Sequence, residues 1–159
     1  MSLNKFVLLL IATLCVATSA LAAGKSREFA MDANFVDVQG ESASSILNVS
    51  LGQFLSPQVV IVTALRSHSN FGYTGTTIGF GGKYYFMDGF RGDLVPFAGL
   101  GLGLRVKDSN RASTEYDFNG GLAFFMADNA TLDAKIRLLS FNDSSPIIII
   151  FGVGFSQRF

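Results

Sequence analysis

Ile147-Ile148-Ile149-Ile150-Phe151-Gly152-Val153-Gly154-Phe155-Ser156-Gln157-Arg158-Phe159 is the stretch that decides the fold. Ile147, Ile149, Phe151, Val153, Phe155 and Phe159 share one parity, and Gly152, Gly154, Ser156 and Arg158 share the other. Side chains alternate between the faces of a strand. This segment is therefore a β-strand with one wholly apolar face and one small, polar face. The rest of the chain decides whether the apolar face meets a second sheet or lipid.

The amino terminus bears on that choice. Lys5 gives a short positive region, Phe6 to Val16 is an apolar run of eleven residues broken only by Thr13, and Ala20-Leu21-Ala22 is a small-x-small cleavage site. This pattern predicts a secretory signal peptide over residues 1–22, too short and wrongly flanked for a membrane-spanning helix. Leu14 before Cys15 argues against a lipoprotein anchor. Cleavage after Ala22 removes the only cysteine, so the expected mature chain forms no disulfide. Residues 23–159 are long enough for one domain. Without Lys5 they carry 11 Lys plus Arg against 12 Asp plus Glu, and no basic patch suggests nucleic acid. No later segment supplies the roughly 18 uninterrupted apolar residues of a transmembrane helix. The 16 Phe and 17 Gly are instead distributed in alternation.

Eight alternating segments are expected. Glu28 to Val38 sets Phe29, Met31, Ala33 and Phe35 against Glu28, Asp32 and Asn34. Ser45 to Phe54 sets Leu47, Val49 and Leu51 against Asn48, Ser50 and Gly52. Gln58 to His68 alternates poorly through Val59-Val60-Ile61-Val62, which hints at an apolar patch on the inner face. Thr74 to Phe86 sets Ile78, Phe80, Tyr84 and Phe86 against Thr77, Gly79, Gly81 and Lys83. Leu94 to Val106 sets Leu94, Ala98, Leu100, Leu102 and Leu104 against Gly99, Gly101, Gly103 and Arg105. Thr114 to Met126 sets Tyr116, Phe118, Leu122 and Phe124 against Glu115, Asp117, Asn119 and Gly121. Thr131 to Phe141 sets Leu132, Ala134, Ile136 and Leu138 against Asp133, Lys135 and Arg137. The eighth segment is the terminal strand.

The second face separates a membrane barrel from a soluble sandwich. A sandwich turns its polar face to water, where mixed charges suffice. Here that face is rich in Gly, Ala, Ser, Thr and Asn, which suits a crowded lumen where small residues make room for a few long ones. The expected lumen charges are Arg66, Lys83, Arg105, Lys135, Arg137 and Arg158 against Glu28, Asp32, Glu115, Asp117 and Asp133. Six against five nearly neutralises itself, as a hydrogen-bonded filling does; a wide ion-selective pore calls for one sign in excess. The turns after segments two, four and six each follow an aromatic (Phe54, Phe86, Phe124-Phe125) and are placed at the periplasmic end. The connections Gln39 to Ser44, Ser67 to Tyr73, Lys107 to Ser113 and Asn142 to Pro146 are polar and are placed outside the cell. Strands of about 10 to 13 residues fit a tilted bilayer crossing, for which ~9–11 suffice. Phe29, Tyr84, Phe86, Phe124 and Phe159 are the expected lower girdle and Phe35, Tyr116 and Phe118 a thinner upper one.

The stretches Gly82-Lys83-Tyr84-Tyr85-Phe86, Pro96 to Gly103, Gly121 to Phe125 followed by Asp128-Asn129, and Gly152 to Phe159 resemble the small outer-membrane β-barrel domain family, the OmpA, OmpX and OmpW types. The resemblance covers nearly all of residues 23–159. It implies a bacterial outer-membrane location and a terminal strand that pairs with the first. It also implies an insertion signal carried by Phe151, Val153, Phe155 and Phe159, read by the barrel-assembly machinery after passage by periplasmic chaperones. Gln157 departs from the family, which has an aromatic two residues before the terminal Phe. The resemblance is specific for fold and poor for function.

Few residues offer chemistry. His68, the only histidine, is flanked by Ser67, Ser69 and Asn70, with Asp37, Asp108 and Asp143 as loop acids that would have to approach it. A histidine base needs an orienting carboxylate and a nearby nucleophile, and nothing in the spacing supplies them; it reads as an ordinary loop histidine. Arg105 and Glu115 are expected to pair near the upper end, and Glu28 and Arg158 where the barrel closes. The glycines at 79, 81, 99, 101 and 103 have period two and no following Gly-Lys-Ser/Thr element, so they are spacers for Tyr85, Lys83 and Arg105, not a phosphate loop. No Cys/His cluster suits zinc and no loop suits calcium. The expectation is an all-β, eight-stranded antiparallel up-and-down transmembrane β-barrel. It is a monomer in contact with outer-membrane lipid, without cofactor, nucleic-acid partner or enzymatic activity, and has a structural role in membrane integrity. The alternatives are a narrow channel or carrier for small apolar solutes and a rim enzyme acting on lipid through His68. A lipocalin-type barrel would carry a Gly-x-Trp near its start, and the chain has no Trp.

Overall fold

A computed structural model describes residues 26–36, 44–69, 75–88, 92–107, 112–142 and 147–159. The expected signal segment 1–22, residues 23–25 and the connecting residues 37–43, 70–74, 89–91, 108–111 and 143–146 lie outside the described residues. All regular structure among the described residues is strand: β1 (Arg27–Val36), β2 (Ser44–Phe54), β3 (Val59–Ser69), β4 (Gly75–Tyr85), β5 (Leu94–Lys107), β6 (Ala112–Ala127), β7 (Ala130–Phe141) and β8 (Ile148–Arg158). Each strand pairs antiparallel with its sequence neighbours, and β8 pairs with β1 to close the barrel. The closing register sets Glu28 opposite Arg158 and Phe35 opposite Phe151. Closure leaves no unpaired edge.

The period-two pattern sorts the side chains. Phe80, Leu100, Leu102, Phe118, Ile149, Phe151 and Val153 stand exposed on the outer surface. Glu28, Asp32, Arg66, Glu115, Asp117 and Asp133 are buried inside. The run from Val59 to Val62 alternates after all: Val60 is buried in the lumen and Val62 packs beside it. The apolar inner patch hinted at by the sequence is therefore present, at the end of the barrel that carries both described termini.

The described connecting residues at that end are 55–58, 86–88, 92–93 and 128–129. Arg27 N–H donates to the Phe159 carbonyl at 2.8 Å, and Arg158 N–H donates to the Asn129 carbonyl at 2.7 Å. Gly92 has φ +120°, a left-handed conformation that its lack of a Cβ allows. Each strand departs from its expected bounds by a residue or two at one end or both, and two of these departures have a visible cause. β3 runs on to Ser69, because Ser69 pairs with Ser45. β6 starts at Ala112 and ends at Ala127 with a register shift between Phe125 and Ala127, the irregularity that lets a two-residue turn reach β7.

The lumen is stratified. At the terminal end Phe54, Val60, Tyr85, Val95, Phe97 and Ala123 form a buried cluster extended by Met87 and Phe125. At the other end Ile46, Leu139, Phe141 and Ile150 form a second, extended by Ile148. Charged side chains fill the space between them. An eight-stranded barrel has an interior just wide enough to be filled this way.

Candidate functional site: a charged lumen between two apolar plugs

Asp32 on β1 gathers one half of the charge network. It accepts from Lys135 Nζ at 2.8 Å, Arg137 Nη1 at 3.2 Å, Asn34 Nδ2 at 2.8 Å and Asn48 Nδ2 at 2.8 Å. Lys135 and Arg137 belong to β7, and β8 lies between them and β1. They reach across because β8 offers only Gly152 and Gly154 there. A Cβ at Gly154 would lie 3.0 Å from Asp32 Cβ and 3.4 Å from Lys135 Nζ, and one at Gly152 would coincide with the Asn34 side chain.

Arg66 on β3 makes a similar reach to β6. Its guanidinium pairs with Glu115 and, at 2.5 Å, with Asp117 Oδ2. Asp117 passes the network on to Arg137 Nε at 3.3 Å. The strands between β3 and β6 present Gly79, Gly101 and Gly103 to the lumen; Asp117 stands opposite Gly101 and Glu115 opposite Gly103. These glycines leave the wall between Arg66 and its two carboxylates without side chains. Beside this bare wall lies a cavity of about 70 Å³, polar and roomy enough for water.

Glu28 organises the lower half. Lys83 Nζ donates to it at 2.8 Å, the Tyr85 hydroxyl donates at 2.9 Å, and Arg158 Nε lies 3.9 Å away. The expected Glu28–Arg158 meeting at the seam is present, but Lys83 from the opposite wall holds the tighter position. Lys83 also lies 4.0 Å from Asp133 Oδ2. The cations rest on the lower plug: Lys83 Nζ is 4.6 Å from the Tyr85 ring centre, and Arg158 Cζ lies 4.6 Å over Phe54 and 4.8 Å over Phe125. Cation–π contact of this kind lets a charge border an apolar layer.

Two of the residues singled out in the sequence have partners that the sequence did not show. Glu115 turns to Arg66, Thr77 and His68 among the described residues, while Arg105 lies 4.6 Å over the Phe141 ring of the upper plug. Arg66 thus reaches, from across the lumen, the carboxylate that the sequence set beside Arg105. His68 is no loop residue: it sits on β3 inside the lumen, 1% exposed, with Nε2 3.2 Å from Thr77 Oγ1 and 3.3 Å from Glu115 Oε2. A hydroxyl, an imidazole and a carboxylate are thus together, but one ring nitrogen faces both oxygens. In a nucleophile–base–acid relay the acid orients one nitrogen and the nucleophile uses the other. The Thr77 hydroxyl donates directly to Glu115 at 2.8 Å, so the trio is a closed hydrogen-bond cluster. Strand parity could have shown that His68 points inward with Arg66; its flanking serines obscured it. The four side chains expected to carry the insertion signal, Phe151, Val153, Phe155 and Phe159, stand exposed.

No family model matches the chain, and no curated protein matches it. Solved structures do. Neisserial surface protein A superposes with a TM-score of 0.61 at 16% identity, covering 85% of this chain and 96% of that one. The outer-membrane protein Ail of Yersinia pestis in a phospholipid nanodisc gives 0.56 at 14% identity, covering 86% and 99%. The de novo designed barrel TMB2.3 gives 0.56 at 15% identity, covering 87% and 98%. The common property is the fold of small eight-stranded outer-membrane barrels. A designed protein among these neighbours shows that the fold itself specifies no activity.

Proposed function

We propose that this chain is a small integral outer-membrane protein that acts structurally, as a sealed and rigid barrel in the bilayer. The observation that carries the reading is the stratified lumen: charges paired across the barrel, with an apolar plug at each end. The outer surface supports the membrane assignment, since a continuous belt of exposed Phe, Leu and Ile is untenable in water and is what a lipid-facing barrel wall requires. The C-terminal row Phe151, Val153, Phe155 and Phe159 is consistent with recognition by the barrel-assembly machinery, after export directed by residues 1–22. The nearly balanced lumen charge argues against an ion-selective pore, and the geometry at His68 argues against rim catalysis. The protein is a monomer in this reading, and its partner is outer-membrane lipid.

The test is refolding into detergent followed by gel migration, paired with conductance in a planar bilayer. A heat-modifiable band and a silent bilayer are the expected results. Steady conductance would replace the structural reading with the channel, and a protein soluble in plain buffer without a heat shift would end the membrane reading. His68→Ala in a lipid-modifying host is expected to leave the lipid A profile unchanged; an altered profile would restore the enzyme alternative.

A further inference from the structure

The outer wall is not uniformly convex. Across β6, β7, β8 and β1 a depression of about 480 Å³ is lined by Gly120, Leu122, Ala134, Ile136, Phe151 and Ala33. Leu122, Ala134, Val153 and Ala33 lie on one line of cross-strand partners, and Gly120, Ile136 and Phe151 on the next. The floor is therefore Gly120, Ala134 and Ala33, and the walls are the larger side chains. Its origin is visible at Gly121. A Cβ there would coincide with the Ala134 carbonyl and lie 2.8 Å from Lys135 Cα, so the β7 backbone passes on the lumen side of β6. The wall steps inward, and small residues on its outer side leave the step unfilled. The one charged residue of the lining, Lys135, turns its ammonium inward to Asp32 at 2.8 Å.

We propose that this depression holds one acyl chain of a membrane lipid in a fixed place, an inference that rests on the membrane reading above. The depression lies within the exposed apolar belt, bordered by Phe118, Leu138, Leu132 and Phe155, so the surrounding lipid contact continues into it. Its described side chains offer nothing to a polar ligand. A void in hydrocarbon forfeits dispersion contacts along its whole lining, and a flexible methylene chain fills an irregular step without needing a matched surface. A second copy of the barrel would need a ridge of complementary shape in register with the same step.

The test is intermolecular NOE measurement on methyl-labelled alanine in otherwise deuterated protein, in dioleoylphosphatidylcholine nanodiscs. Ala33 and Ala134 lie in the depression; Ala98, exposed on β5, is the comparison. Acyl-chain cross-peaks stronger at Ala33 and Ala134 than at Ala98 are expected. Gly120→Leu should abolish that excess and leave Ala98 unchanged. Ala33→Leu, read at Ala134, is the second variant should Gly120→Leu fail its heat-shift check. Equal cross-peaks at all three alanines, or an excess that survives both fillings, overturn the proposal. Cross-peaks from a differently labelled second copy would assign the depression to an oligomer contact. A protein that stays out of the nanodisc would overturn the membrane reading itself, whereas insertion with uniform cross-peaks would overturn the lipid site alone.

Discussion

Lys83 is held by charge on one side and by rings on the other, and that double dependence makes it informative. Lys83→Met removes the closest cation from Glu28, whose remaining partners are the Tyr85 hydroxyl at 2.9 Å and Arg158 at 3.9 Å. Breaking a buried pair from one side costs about 3–5 kcal/mol. Replacing both members with groups of similar volume restores much of that loss. Urea unfolding in vesicles should show Lys83→Met strongly destabilised and Lys83→Met with Glu28→Gln partly recovered; additive losses would mean that the two side chains act independently. The sequence revealed that these residues face inward, because parity alone fixes that. It did not reveal which cation meets which anion. Pairing of β3 with β6 and of β7 with β1 depends on strand tilt and on glycines that clear the path, and neither is a spacing along the chain. Arg105 and Glu115, ten positions apart on one hairpin, were the natural pair by sequence, and parity gave no sign that Arg66 reaches the same carboxylate from across the lumen.

At the scale of the strand, the two faces of β4 and β5 have opposite tolerances. A Cβ at Gly81 would coincide with the Leu100 carbonyl and lie 2.9 Å from Gly101 Cα. The obstacle is backbone, which cannot swing aside. Gly81→Val should therefore cost about 1–3 kcal/mol through overpacking, read as a lower urea midpoint in vesicles and a smaller fraction of heat-modifiable band. On the outer face, Leu102 is exposed to what the membrane reading makes lipid. Leu102→Lys should cost about 2–4 kcal/mol if that position lies near the bilayer midplane, and the penalty should shrink for the same change at Leu94, close to the rim. Equal penalties at the two heights would contradict a bilayer surrounding the wall. Strand existence and face were legible because eight segments alternate. Strand ends were less so: β3 runs one residue past the expected His68, to polar Ser69, by pairing with β2, and ladder hydrogen bonds take no account of side-chain polarity.

At the scale of the molecule, the lumen carries a buried apolar cluster toward each end and the wall closes on itself, so the barrel should resist denaturation as one unit. Unheated protein is expected to migrate faster than boiled protein, and single variants in the lumen should shift the whole transition without splitting it. A biphasic urea curve would mean that one plug melts apart from the other. The architecture was readable from the terminal strand outward; the plugs were only partly so, since Phe54, Phe97, Phe125 and Phe141 fall on inner positions at strand ends, where parity is easily miscounted.

The seam between β1 and β8 has a further consequence. Glu28 is contributed by the first strand, yet the arginine opposite it comes from the last, and Asp32 waits for Lys135 and Arg137 from β7. A chain stopped short of its final strands would hold an open sheet with two unpaired edges, in which Asp32 keeps only the amides of Asn34 and Asn48 and has lost both of its cations. In the membrane reading such a product has no stable resting place in a bilayer, so truncated copies should be degraded, not accumulated, and the cell receives either a whole wall or none.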